Sequence, residues 1–253
     1  MTTASNAHRL ERLDVLRGLA MLWMTLYHLC FDLNHFGWIE QDFYRDPLWT
    51  TQRTLIVSTF ILCAGAGQAL AIAQGQSSRQ FARRWLQIAG CALLVSAGSW
   101  WVFSERFIHF GVLHGMAAML LLVRWAGQRW PGHDGRWTLA GALMLGLSWL
   151  APAVIASWPQ LSLLNERWLN WLGLVSQKPA TEDYVPLAPW LGLMIWGHVA
   201  MRVLLRRAEG WLHRPLPGWT RPLAWSGRYS LSYYMVHQPV LWTALSLLAW
   251  LRS

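Results

Sequence analysis

Seven stretches of mostly apolar residues, each near the length of a membrane-crossing helix, dominate this 253-residue chain. A hydrocarbon layer about 30 Å thick is crossed by about 20 residues of α-helix, whose backbone groups satisfy one another where water cannot. The stretches fall near residues 14–34, 54–74, 83–103, 107–125, 137–158, 186–206 and 226–250. Hydrophobic residues make up 55% of the chain and charged residues 13%, and the apolar ones run in blocks instead of amphipathic stripes, which excludes an ordinary soluble domain. A further stretch, Leu161 to Val175, is interrupted by Asn165, Glu166 and Arg167, so it is too polar to span. It reads as a short helix lying in the interface or re-entering part-way. The expected fold is therefore all-α, a polytopic membrane helix bundle of seven transmembrane helices plus that interfacial or re-entrant helix.

A net charge of +9 suggests nucleic acid in a soluble protein, but its distribution assigns it to topology. Arg9, Arg12, Arg79, Arg83, Arg84, Arg124, Arg129, Arg136, Arg202, Arg206, Arg207, Arg214, Arg221 and Arg228 fall on one set of alternate loops and span ends. The opposite set holds only Arg45, Arg53, Arg106, Arg167, Lys178 and Arg252. This positive-inside bias places the N-terminus, with residues 1–12 cytoplasmic, inside and the C-terminus outside. Many of the 20 tryptophans sit near span ends, where amphipathic rings favour lipid headgroups. Cys30, Cys63 and Cys91 are irregularly spaced within spans and indicate neither a disulfide framework nor a metal site. The first apolar block lacks a small-residue cleavage site and is expected to be retained. With no repeat and no long linker, the chain reads as one domain over residues 1–253, with membrane lipids as neighbours, no nucleic-acid partner, and homo-oligomerisation open.

The first span, LRGLAMLWMTLYHLCFDLNHFG, carries side chains that a bilayer penalises. Arg17 and His28 are eleven residues apart, three helical turns plus about 20°, so they share a face at depths about 16 Å apart. Asp32 and His35 follow at spacings of four and three and extend that face outward. Ionisable residues at such depth normally turn towards the bundle interior or a wet cavity and mark function. The plainer alternatives are structural hydrogen bonding for His28 and snorkelling to headgroups for Arg17.

Other spans offer partners. FIHFGVLHGMA carries His109 and His114, whose spacing of five suits a metal pair poorly. EDYVPLAPWLG puts Asp183 and Tyr184 at the mouth of the sixth span, where Asp183 serves equally well as an N-terminal helix cap. His198 lies deeper in that span. His237 and Gln238 precede Pro239, which frees a backbone carbonyl that either side chain could satisfy. Gly65 and Gly67 permit close approach of a neighbouring helix or a ligand, and packing is the simpler use. Arg228 could join Arg17 in a cationic pocket for phosphates, or serve topology alone.

RLDVLRGLAMLWMTLYHLCFDL, STFILCAGAGQALA, FIHFGVLHGMA, EDYVPLAPWLGLMIWGH and SGRYSLSYYMVHQPV, in that order, resemble the bacterial branch of the heparan-alpha-glucosaminide N-acetyltransferase catalytic-domain-like family. The Arg17-to-His28 spacing is also similar to the first-span motif of the wider acyltransferase-three group. The resemblance implies acyl transfer, commonly of acetyl from cytoplasmic acetyl-CoA, to a hydroxyl or amine of a sugar, glycan or lipid-linked sugar across a bacterial plasma membrane. It places the catalytic base at His28 by the acyltransferase-three pattern, or at His35 by the glucosaminide pattern, where the histidine follows the first span. Asp32 would orient the imidazole, Arg17 and Arg228 would hold the CoA phosphates, and His109, His114, Asp183 and Tyr184 would meet the acceptor; no metal is implied. A neutral imidazole can take a proton from a weak nucleophile as it attacks a thioester, and the planar guanidinium suits phosphate.

Two other classes compete. Histidines at 28, 109, 114, 198 and 237 offer axial ligands for a haem redox protein. A transporter could use the same polar stripe as a pathway, although no inverted repeat is visible.

Overall fold

The computed structural model describes residues 9–252, so most of the expected cytoplasmic segment 1–12 lies outside it. The described chain is all-α. Seven helices of 18 residues or more overlie the seven apolar stretches: α1 (Glu11–His35), α2 (Pro47–Ala73), α3 (Ser78–Val102), α4 (Val112–Arg129), α5 (Asp134–Ser157), α6 (Leu187–Arg207) and, after the short α7 (Glu209–Leu212) and α8 (Arg221–Arg228), α9 (Ser230–Trp250). Four of them, α2, α3, α5 and α6, are long and apolar enough to cross a membrane by length and composition. The chain is thus a membrane protein with at least four helices suited to spanning.

Local chemistry moves several boundaries away from the sequence expectation. α2 starts seven residues before residue 54, because Asp46 caps it: its Oδ1 accepts from the Leu48 N–H at 2.8 Å, with Pro47 in the first turn. α3 starts at Ser78 behind a reciprocal capping box, in which Ser77 Oγ accepts from Gln80 N–H and Gln80 Oε1 accepts from Ser77 N–H. The fourth helix starts at Val112 instead of residue 107. Phe110 forms an isolated parallel bridge with Tyr184, and Val185 N–H donates to Phe110 C=O at 3.1 Å. The helix expected over Leu161–Val175 is not α-helical: two 3-10 turns, Pro159–Asn165 and Asn170–Leu172, stand there. Asn165 Oδ1 accepts from Ser176 N–H at 2.9 Å, and Gly173 at φ 82° ends the second turn, so side-chain and turn chemistry displace the helical ladder. The last stretch, 226–250, breaks at Tyr229 into α8 and α9.

The chain forms two compact units. Among the described residues, one comprises 9–60 and 208–252; the other is Ile61–Arg207. In the first unit, α8 lies directly on α1. A Cβ on Gly227 would overlap the Asp14 carbonyl oxygen, so only glycine allows that approach. α1 and α2 are antiparallel, paired by Trp23 Nε1 donating to Gln52 Oε1 at 3.1 Å and by Tyr27 edge-on to Trp49. α1 and α9 are parallel, because their contacts climb together: Thr25 with Tyr233, His28 with His237, Asp32 with Gln238, and His35 with Trp242.

In the second unit, α5 and α6 form an antiparallel pair. Asp134 ion-pairs with Arg202 and Arg206 at one end, Trp137 stacks on His198, and Trp196 Nε1 donates to Thr138 C=O. Gly65 of α2 lies against the Met194 carbonyl of α6, so its use is helix packing. The buried Arg124 donates to the Gln76 carbonyl and side chain, which closes the turn between α2 and α3.

Candidate functional site

The stripe predicted on α1 is present, and each of its residues meets a different partner within the first unit. At its N-terminal end, Asp14 is buried at 5% exposure between two guanidinium groups. Arg9 Nε lies 2.6 Å from its Oδ2 and Arg17 NH1 lies 3.2 Å from its Oδ1. Arg9 also reaches the backbone carbonyl of Arg228 at 3.5 Å, so one carboxylate assembles a corner where Arg9, Arg17 and the α8 terminus converge. Opposite charges hold the two planar forks in place, a geometry suited to presenting guanidinium groups to phosphate. Asp14 was not among the expected site residues, although its position three before Arg17 on one helix carries the signal.

Further along α1, His28 Nδ1 and His237 Nε2 of α9 lie 2.8 Å apart, and His237 Nδ1 lies 2.7 Å from the Tyr234 carbonyl oxygen. His237 is buried, whereas His28 is only partly so. Tyr27 packs edge-on against His28, and the Tyr233 ring stacks on His237. His237 therefore does more than cap the carbonyl freed by Pro239: it binds the next helix. Two imidazole nitrogens 2.8 Å apart share a proton and leave no space for an iron between them, since metal–nitrogen bonds are about 2 Å each. That geometry removes this pair from the axial-haem reading.

One turn beyond, Asp32 is wholly buried, and both its oxygens accept from Gln238 Nε2, at 2.9 and 3.1 Å. The expectation that Asp32 orients the His28 imidazole is corrected here: His237 occupies the His28 Nδ1 position, and Asp32 is held by the neighbouring glutamine. Gln238 Oε1 is buried without a hydrogen-bond partner among the described residues. His35 is exposed and lies against Trp242 with ring centroids 4.7 Å apart, beside Phe36.

The second unit gathers the other four expected residues around the start of α4. Asp183 Oδ2 accepts from Val112 N–H at 2.7 Å. It is indeed a helix cap, but of α4 instead of the sixth span that follows it in sequence, and a carboxylate suits the positive end of a helix dipole. His114 Nδ1 accepts from Gly111 N–H at 3.3 Å, and its Nε2 meets Ser96 Oγ at 3.0 Å. Ser96 in turn donates to Ile108 C=O at 2.6 Å. Serine, histidine and aspartate adjacent in this way invite a hydrolase triad, but the hydrogen directions oppose one. The serine proton points at a carbonyl, and the histidine nitrogen that a triad aspartate would hold is filled by a backbone amide. Tyr184 donates to Asn170 C=O at 2.6 Å, burial pushing its phenol up, while Asn170 Oδ1 meets His109 Nε2 at 3.2 Å. Three of these four side chains thus brace loop backbone, and His109 braces the buried Asn170.

Among the described residues, no group of three or more His, Cys, Asp or Glu side chains is placed to hold a metal ion. No curated protein and no solved structure matches this chain. The family model described as heparan-alpha-glucosaminide N-acetyltransferase, catalytic, matches residues 9–239, from the arginine that meets Asp14 to the proline that follows the α9 histidine and glutamine. Spanning that nearly complete length, the match makes the chain a member of the heparan-alpha-glucosaminide N-acetyltransferase catalytic family, a family of membrane acetyltransferases.

Proposed function

We propose that this protein transfers an acetyl group from acetyl-CoA, bound from the cytoplasmic side of a bacterial inner membrane, to a hydroxyl or amine of a sugar, glycan or lipid-linked sugar on the outer side. The observation that carries this reading is His28: a partly buried histidine, held by a second histidine, on the same helix face as the arginine corner at Asp14. The donor end would use Arg17 and Arg9, with Arg228 adjacent, to meet CoA phosphates. His28 would stand about 16 Å further along α1, within reach of a long thioester arm.

In the transfer step, the acceptor heteroatom attacks the thioester carbonyl while His28 takes its proton. The new bond to carbon forms, the carbon–sulfur bond breaks, and the imidazolium returns the proton to the departing thiolate, leaving acetylated acceptor and CoA thiol. His28 is preferred over His35 because a second histidine fixes the orientation of its ring, whereas His35 is exposed and packs beside Phe36 and Trp242. Asp32, one turn away, would stabilise positive charge at the acceptor side. His109, His114, Asp183 and Tyr184 are better assigned to bracing the loops around α4 than to contacting the acceptor.

Seven spans with the N-terminus inside remain the favoured topology. Parallel α1 and α9, with α2 antiparallel to α1, is the arrangement that first and seventh spans would require. The family match runs across both compact units, which supports treating the chain as one functional domain. Purified protein in liposomes, given acetyl-CoA and a panel of amino and neutral sugars, should release CoA thiol in proportion to acetylated sugar. Intact acetyl-CoA with every acceptor, or sugar moved across the bilayer without acetylation, would overturn the proposal.

A further inference from the structure

The hydrogen bonds that link His28, His237 and the Tyr234 carbonyl have fixed directions as well as distances. A carbonyl oxygen can only accept, so His237 Nδ1, 2.7 Å from Tyr234 C=O, carries a proton. A neutral imidazole has one N–H, which leaves His237 Nε2 as an acceptor. His28 Nδ1 faces it at 2.8 Å and must donate. The single proton of neutral His28 is then on Nδ1, and its Nε2 keeps a lone pair with no hydrogen-bond partner among the described residues. A cationic His237 would reverse the chain. Among the described residues no carboxylate pairs with it, however, and a buried cation without a counter-charge is costly. The acid nearest in sequence register, Asp32, is engaged by Gln238.

We infer that His237 is a positioning residue for acyl transfer: through the chain Tyr234 C=O, His237, His28 it fixes the tautomer of His28 and makes Nε2 the atom that takes the acceptor's proton. This deepens the reading of His28 as the base and rests on it. The burial of the two residues fits, with the supporting histidine buried and the working one only partly so. As His28 becomes cationic, its Nδ1–H bond to His237 becomes charge-assisted and shortens, so the support strengthens as the proton arrives. Tyr233 and Thr25 steady the arrangement: Thr25 Oγ lies 2.8 Å from the Tyr233 hydroxyl, whose ring stacks on His237. A free imidazole, by contrast, can place its proton on either nitrogen, and a base in the wrong tautomer cannot accept.

The test uses the whole protein in liposomes with acetyl-CoA and an accepted sugar. His237→Leu should lower kcat roughly 10- to 100-fold while leaving KM for acetyl-CoA unchanged, part of the range that general-base catalysis spans. His237→Gln, whose Oε1 can still accept from His28 Nδ1–H, should restore most of the rate. Independently of any substitution, 15N spectra of histidine-labelled wild type should show a protonated Nδ1 and an unprotonated Nε2 for His28, assigned by comparison with His28→Ala. Full activity in His237→Leu, or a protonated His28 Nε2 in the wild type, would overturn the inference while His28 remained the base. Undiminished turnover in His28→Ala would instead remove the underlying reading.

Discussion

The first unit places two histidines between α1 and α9, whereas Ile61–Arg207 gathers two histidines, a serine and an aspartate around the start of α4. By composition alone, the α4 cluster has the more catalytic character. Its hydrogen bonds are those of a brace: both nitrogens of His114 are engaged, Asp183 caps a helix, and Ser96 is committed to a carbonyl. In the first unit His237 is likewise engaged at both nitrogens, but His28 is held through Nδ1 and its Nε2 has no hydrogen-bond partner among the described residues. On the proposed reading, the donor and acceptor inventory around a group separates base from brace more than the presence of ionisable residues at depth.

Substitutions can break or sharpen this contrast. The largest loss should come from Gly227→Val, which drives a side chain into the Asp14 carbonyl where α8 lies on α1. It should cost about 3 kcal/mol or more and remove the monodisperse species from size-exclusion chromatography. Gln238→Ala should come next, at about 2–3 kcal/mol, because it strips the amide donor shared by both oxygens of a wholly buried carboxylate; thermal melting would read it. Asp183→Ala should cost about 1–2 kcal/mol as a lost cap, with Asp183→Asn restoring much of it and turnover per folded molecule unchanged. A fall in that turnover would move the α4 cluster into the catalytic site. Tyr184→Phe should be the mildest, about 1 kcal/mol. Burial raises the Tyr184 phenol, so this contribution is complete below the ordinary tyrosine value near 10 and disappears only as pH rises through the higher folded value. The melting difference from wild type should thus stay constant between about pH 6 and 9.

Much of this architecture was legible beforehand, because apolar blocks of spanning length report the helices directly. Boundaries were less so. The early start of α2 follows from Asp46 and Pro47, a cap and first-turn pair hidden by the polar residues between them and the apolar block. The 3-10 turns over Pro159–Asn165 and Asn170–Leu172 depend on Asn165 finding Ser176, which no periodicity announces. The polar face of α1 was readable from helical spacing, but its partners were not. His28 meets His237 across 209 positions, and Asp32 meets Gln238 across 206. Such pairings exist only once α1 and α9 are parallel neighbours. For the same reason Asp32 was expected to serve His28 when a glutamine holds it, and Asp183 was expected to cap the wrong helix.

The claim that the first unit carries the base and the α4 cluster is a brace is tested most directly by measuring CoA release from acetyl-CoA, per folded molecule, for His28→Ala and His114→Ala side by side. The account predicts a fall of about 10²- to 10⁴-fold for His28→Ala and an unchanged rate for His114→Ala, whatever the latter does to melting. Retained turnover without the His28 imidazole, or turnover lost with His114 alone, would contradict it.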